Sequence, residues 1–165
     1  MRFVLTSTAQ LRVAFGLVER ELKKFDNMTL YDVIQAMERV AITQPTVKMI
    51  VPNDIYDLND RADAVYGVFG YIQGQHAMQG DFMSYAFTLV YVDRLDEDKG
   101  NQQFIQSTGV MTLSNILAML TEEFPITVAS STFEAFTERF SDECAGMMAN
   151  VSLTVPRSIF CANYE

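Results

Sequence analysis

Phe82-Met-Ser-Tyr-Ala-Phe-Thr-Leu-Val-Tyr-Val-Asp-Arg-Leu95 is the stretch that decides the fold. Successive side chains of a strand point to opposite faces. That places Tyr85, Phe87, Leu89 and Tyr91 on one side and Ala86, Thr88, Val90 and Val92 on the other. Aromatic and β-branched residues suit such a pleated, half-buried surface. Upstream, the aromatic run from Ala64 to Gln73 predicts a second strand. The polar segment from Gly74 to Asp81 then reads as the loop of an antiparallel hairpin. Gly67 and Gly70 weaken a strand and mark a bulge or a close approach of backbones.

Working outward, Val47 to Val51 is a short strand stopped by Pro52-Asn53-Asp54. Before it, Thr29 offers an N-cap for a helix through Val33, Ile34, Met37 and Val40. Gln44-Pro45 ends that helix, because a residue before proline is pushed out of the helical region. Leu11, Ala14, Phe15, Val18, Leu22 and Phe25 recur at helical spacing and predict an N-terminal amphipathic helix. Downstream, Asp96 to Gly100 is a charged turn and Asn101 a second N-cap. Ile105, Gly109, Leu113, Ile116, Leu117, Leu120 and Phe124 form one helical stripe. A glycine inside that stripe suggests close packing on the sheet, and Glu122 to Pro125 closes the helix. Ile126 to Ala129 and Phe133 to Phe140 read as two short strands. Ala145, Met147, Ala149, Val151, Leu153 and Val155 alternate in a last strand that Pro156 ends. The expected class is α+β: a mostly antiparallel sheet with helices packed on one face. One domain is expected over residues 1–165, with an N-terminal helix over 1–28, a core over 29–155 and an arm over 156–165.

The chain has 165 residues, 49% of them hydrophobic and 20% charged, with a net charge of −9. That balance is globular and excludes disorder by composition. No run reaches the roughly 18 apolar residues expected of a membrane span, and the start lacks the apolar core of a signal peptide. Phosphate binding needs clustered Lys and Arg, whereas the longest basic run is Lys23-Lys24. An acidic surface that DNA passes without sticking fits the charge.

Chemistry is sparse. Asp93, Asp96, Glu97 and Asp98 lack the alternating ligands and central glycine of a calcium loop and read as a solvated turn. Asp54, Asp57, Asp60 and Asp63 read as an exposed loop. His76, the one histidine, falls in the hairpin loop with no nucleophile elbow beside it. No phosphate-cradling glycine pattern is present. Cys144 and Cys161 lack zinc-ligand spacing and read as small apolar residues, although a disulfide between them is possible in principle. The sequons at Asn27 and Asn150 matter only in a secreted chain. Ten Met, 12 Phe and 7 Tyr without Trp point to a core and an assembly surface. Thus no catalytic residue, cofactor site or metal site is expected.

Gln44-Pro-Thr-Val-Lys48, Asn53-Asp-Ile-Tyr-Asp-Leu-Asn59, Tyr66-Gly-Val-Phe69, Tyr91-Val-Asp-Arg-Leu95, Ile105-Gln-Ser-Thr-Gly109, Phe136-Thr-Glu-Arg-Phe140 and Cys144-Ala-Gly146 occur in that order. Together, over roughly residues 28 to 155, they resemble a family of small structural proteins of crAss-like tailed phages and related prophages. The order of elements is also similar to the tail-terminator and head–tail-joining fold. The resemblance implies a virion protein of the neck or tail, assembled in the host cytoplasm, with no chemistry of its own. Its implied partners are copies of itself in a ring, twelvefold by the slot under a portal, together with the portal and other neck or tail ring proteins. DNA would pass nearby without specific binding, and no membrane is involved. Loops carry contacts when the scaffold is packed. The hairpin-loop residues Gln75, His76, Gln79 and Asp81 and the acidic-turn residues Asp96, Glu97, Asp98 and Lys99 are therefore the candidate contacts with neighbouring subunits or the DNA channel. Two other readings are a small phage-encoded enzyme and a cytoplasmic binding or inhibitor module. The first would show a convergent polar pocket with a perturbed titratable group, the second a stable monomer with one apolar cleft.

Overall fold

The computed structural model describes residues 28–53, 65–137 and 143–157. Thr29 starts the first helix, α1 (Leu30–Thr43), through a reciprocal capping box. The Asp32 amide donates to the Thr29 hydroxyl at 3.3 Å, and the Thr29 amide donates to the Asp32 carboxylate at 2.8 Å. Two orphan amides of the first turn are satisfied this way. Extended backbone at Gln44 ends the helix, as the following proline demands.

Five strands follow: β1 (Met49–Pro52), β2 (Val68–Gln79), β3 (Phe82–Arg94), then after α2 (Gln102–Glu123) the strands β4 (Thr127–Thr137) and β5 (Cys144–Pro156). They form one sheet in the order β1-β2-β3-β5-β4. β1 pairs with β2 in parallel, and the remaining pairs are antiparallel. The fold is the expected α+β class: a mixed, mostly antiparallel sheet with both helices on one face. β3 lies at the centre, paired with β5 from Phe82 opposite Pro156 to Arg94 opposite Cys144.

The alternation of β3 sorts the two faces. Tyr85, Phe87, Leu89 and Tyr91 join Ala145, Met147, Ala149, Val151, Leu153 and Val155 of β5 and the buried stripes of both helices in the main core. Val90 and Val92 point the other way and join Val51, Val68, Phe136 and Cys144 in a second, smaller buried cluster. Further along that second face the side chains turn polar. Ser84 and Ser152 share a hydrogen bond of 2.7 Å, and Thr88 donates to Asn150 at 2.8 Å.

Several sequence boundaries move. The second strand does not stop at Gln73: β2 runs to Gln79, and the connection is the two-residue turn Gly80-Asp81. Gly80 has φ +58°, as a tight hairpin turn led by glycine needs. The polar run resembled a loop because an exposed strand half can carry Gln and His as easily as Val. Gly67, with φ +92°, is a close approach: a Cβ there would meet the Thr46 carbonyl oxygen at 2.6 Å. Gly70 sits in the regular ladder opposite Val90, and the irregularity falls instead between Gln73 and His76. The two short strands expected after the long helix are one strand, β4, with a register shift between Val128 and Ser130. Ser130-Ser131-Thr132 fall between the two expected strands, yet Ser and Thr are at home on an exposed edge. Asn101 occupies the cap position of α2 without a side-chain cap bond. Its amide instead bridges the Asp96 amide and the Arg94 carbonyl at 3.0 and 3.1 Å. The N-terminal helix, the Asp54–Asp63 loop, residues 138–140 of the expected strand, the arm from Ser158 and Cys161 lie outside the described residues.

The helix-to-sheet contact turns on Gly109. A Cβ at that position would lie 2.7 Å from the Met147 Cβ and 3.2 Å from the Tyr91 ring. Gly109→Leu should therefore lose more in overpacking than it gains in helix propensity, by about 1–3 kcal/mol. At roughly 2–4 °C per kcal/mol for a chain of this size, thermal unfolding followed by circular dichroism should show a clear drop. An unchanged melting temperature would contradict the packing described.

Candidate functional site

The hairpin residues and the acidic turn stand at opposite ends of the thirteen-residue β3. At about 3.3 Å per residue they are separated by roughly 40 Å. They cannot form one site, although both sets are exposed.

At the hairpin end, His76 is a strand residue rather than a loop residue. It sits opposite Tyr85, its ring edge-on to that tyrosine at 5.3 Å and tilted toward Phe87 at 6.1 Å. Gln75 and Gln79 lie on the same exposed strand half. Asp81 belongs to the turn, and its carbonyl accepts from the Arg157 amide at 2.7 Å. The Arg157 guanidinium reaches the Met78 sulfur, so the exit of β5 is tied to the hairpin tip. Met78 and Phe82 are exposed there.

At the other end the acidic turn closes on itself. The Lys99 amide donates to the Asp96 carbonyl at 2.8 Å, and the Gly100 amide to an Asp98 carboxylate oxygen at 3.1 Å. Lys99 takes φ +56°. Local bonds of Asp96, Asp98 and Lys99 thus hold the turn, and Asp96 to Lys99 are all exposed. Among the described residues, no group of three His, Cys, Asp or Glu side chains could hold a metal ion.

Three tyrosines carry displaced phenols. Burial and the Glu38 carboxylate, which accepts the Tyr71 hydroxyl at 2.7 Å, push Tyr71 up. Burial and the charge of Asp32 push Tyr85 up. Burial and Asp93 push Tyr91 up to about 12. Each shift keeps the phenol protonated at neutral pH, the opposite of what a catalytic base needs. The Tyr71 hydroxyl ties β2 to α1 through Glu38, and the Tyr91 hydroxyl donates to Asp93 on its own strand at 3.4 Å. Cys144 is buried in the second cluster, as a small apolar residue would be, and its thiol donates to the Tyr66 hydroxyl at 3.4 Å.

Sequence reasoning passed over two surfaces. α2 is 22 residues long and apolar enough in composition to pass for a membrane span, yet one stripe of it is core: Ile105, Leu113, Ile116 and Leu120 are buried. Its outer side carries no charge from Gln102 to Thr121 and exposes Phe104, Val110 and Met111. The signal was present in the uncharged run, which the stripe of core residues overshadowed. The second surface is the outer edge of β4, where Ala129 to Ala135 are all exposed.

No protein-family model matches the chain, and no curated protein matches its sequence.

The tyrosines set an alkaline limit. Below about pH 10 the phenols are protonated in folded and unfolded chains alike, and their contribution to stability is complete. Between about pH 10 and pH 12 the unfolded chain loses protons that Tyr91 retains, so stability falls as pH rises. Alkaline unfolding followed by circular dichroism should begin in that window, and Tyr91→Phe should lessen the slope there. An unaltered pH dependence in the variant would contradict the assignment.

Proposed function

We propose that this chain is a structural subunit of a tailed-phage virion, forming a ring in the neck or tail connector between portal and tail. It acts by contact rather than by catalysis. The observation that carries this reading is the uncharged outer side of α2, with Phe104 74% and Met111 63% exposed in a chain of net charge −9. Charged residues are depleted and aromatic and Met residues enriched in the centres of protein interfaces. Phe104, Val110 and Met111 on this uncharged side supply the aromatic and apolar side chains such a centre uses. The ordered segments that resemble crAss-like phage structural proteins support the same reading, and so does the tail-terminator-like order of elements.

In this proposal the partners are further copies of the chain, twelve around a portal, with the portal and adjacent neck or tail rings above and below. Assembly takes place in the host cytoplasm and the finished protein resides in the virion. The hairpin end and the acidic turn, roughly 40 Å apart, suit contacts on two different levels of a stack. DNA threads the ring without being gripped, since the basic residues are few and scattered.

A ring of twelve multiplies the −9 charge of each subunit, so its assembly works against self-repulsion that salt screens within about 8 Å at 0.15 M. Sedimentation at increasing salt should show assembly strengthening. Duplex DNA titrated by fluorescence anisotropy at about 0.15 M salt should show no binding. Micromolar affinity with a steep salt slope would move the protein toward genome packaging instead.

A further inference from the structure

Among the described residues, the sheet ends in two open edges that fit each other. β4 closes one side of the strand order, and its Ser130–Ala135 stretch is exposed throughout. On the other side β1 covers only Val68 to Tyr71 of β2. From Gly74 to Gln79, β2 is itself the edge among the described residues, and every residue of that stretch is exposed. Edge strands present unpaired N–H and C=O groups and are usually guarded by Lys, Pro or inward charges. Neither stretch carries Lys, Arg or Pro, and Glu134 is the one acidic residue across both.

Strand direction makes the pairing specific. β2 is antiparallel to β3, β3 to β5, and β5 to β4. β4 therefore runs opposite to β2. Two copies set side by side in the same orientation bring β4 of one antiparallel to β2 of the next, a geometry in which backbone bonds form readily. Equal orientation is what a closed ring requires of its subunits, and the two patches differ, as a heterologous contact demands. Exposed apolar side chains flank both edges on the helix-bearing face. Phe133 shares that face with its partner Ala149, and Met78 shares it with its partner Met83. Across the junction they can cover each other.

We infer that the lateral contact of the assembly is β-sheet continuation, with the β4 edge of one copy pairing with the Gly74–Gln79 edge of β2 in the next. This rests on the ring reading above and names the surface that closes the ring.

The test uses proline, which removes one backbone donor. Neighbouring positions on an edge strand direct their N–H groups alternately inward and outward. Of Ser131→Pro and Thr132→Pro, the variant that keeps the wild-type melting temperature has lost an outward donor. Ala77→Pro and Met78→Pro supply the matching choice on β2. Full-length chains are compared by sedimentation velocity. The wild type should assemble, whereas each chosen variant alone should remain monomeric. A β4-blocked chain mixed with a β2-blocked chain should give dimers and nothing larger, because one intact edge of each kind remains. If both variants assemble like the wild type, the edge proposal is wrong while the ring reading stands. If the β2-blocked chain alone forms dimers, the contact is a symmetric β4 pairing and the proposal is overturned. A wild-type chain that stays monomeric at all concentrations overturns the edge proposal and removes self-assembly from the ring reading as well.

Discussion

The close seat of α2 on the sheet, where Gly109 lies against Tyr91 and Met147, is the constraint on which the rest of the structure depends. Only a residue without a side chain lets the helix axis come near enough for Ile105, Leu113 and Ile116 to reach the main core. A similar economy operates in β5, where a Cβ at Gly146 would collide with the Tyr91 carbonyl and the Phe136 ring. Helix, central strands and the second cluster are thereby locked around one tyrosine. Fixing that layer also fixes what remains outside: the uncharged side of α2 and the two open sheet edges.

Those exposed features have a common physical character. They are neutral, apolar or backbone-rich, while the carboxylates gather elsewhere, as at Asp96 to Asp98 in a turn that bonds to itself. In a chain of net charge −9, the outer side of α2 carries no charge from Gln102 to Thr121, and Glu134 is the one carboxylate on the two edge stretches, a distribution that fits the proposed role in contact. The chain's perturbed ionisable groups support the same account. Tyr71, Tyr85 and Tyr91 are displaced toward weaker acidity, and the Tyr71 and Tyr91 hydroxyls donate to neighbouring carboxylates.

The sequence made the core legible and the surface much less so. The period-2 alternation of Tyr85 to Val92 and of Ala145 to Val155 is enforced by burial, so one residue of slip would turn the whole apolar set outward. The α2 stripe and its glycine were legible for the same reason. Where burial ceases, pattern ceases to discriminate. Gln75, His76 and Gln79 read as a loop because exposed strand positions tolerate loop-like residues, and Ser130 to Thr132, which carry no apolar alternation, fall in the gap between two expected strands on the same grounds. Asn101 has the composition of a cap, but its amide is drawn to the Arg94 carbonyl and Asp96 amide by the path of the preceding turn, a tertiary fact that local sequence does not carry. Of the candidate contacts, the sequence located exposed residues correctly and could not show that they fall into two groups at opposite ends of one strand.

The central claim is that the chain is a subunit whose function is assembly. Electron-microscope class averages of the purified full-length protein, taken across a range of salt concentrations, test it most directly. The account predicts closed rings with a central opening, more abundant as salt rises. Uniform single subunits at every salt concentration, or open irregular aggregates without closure, would contradict it.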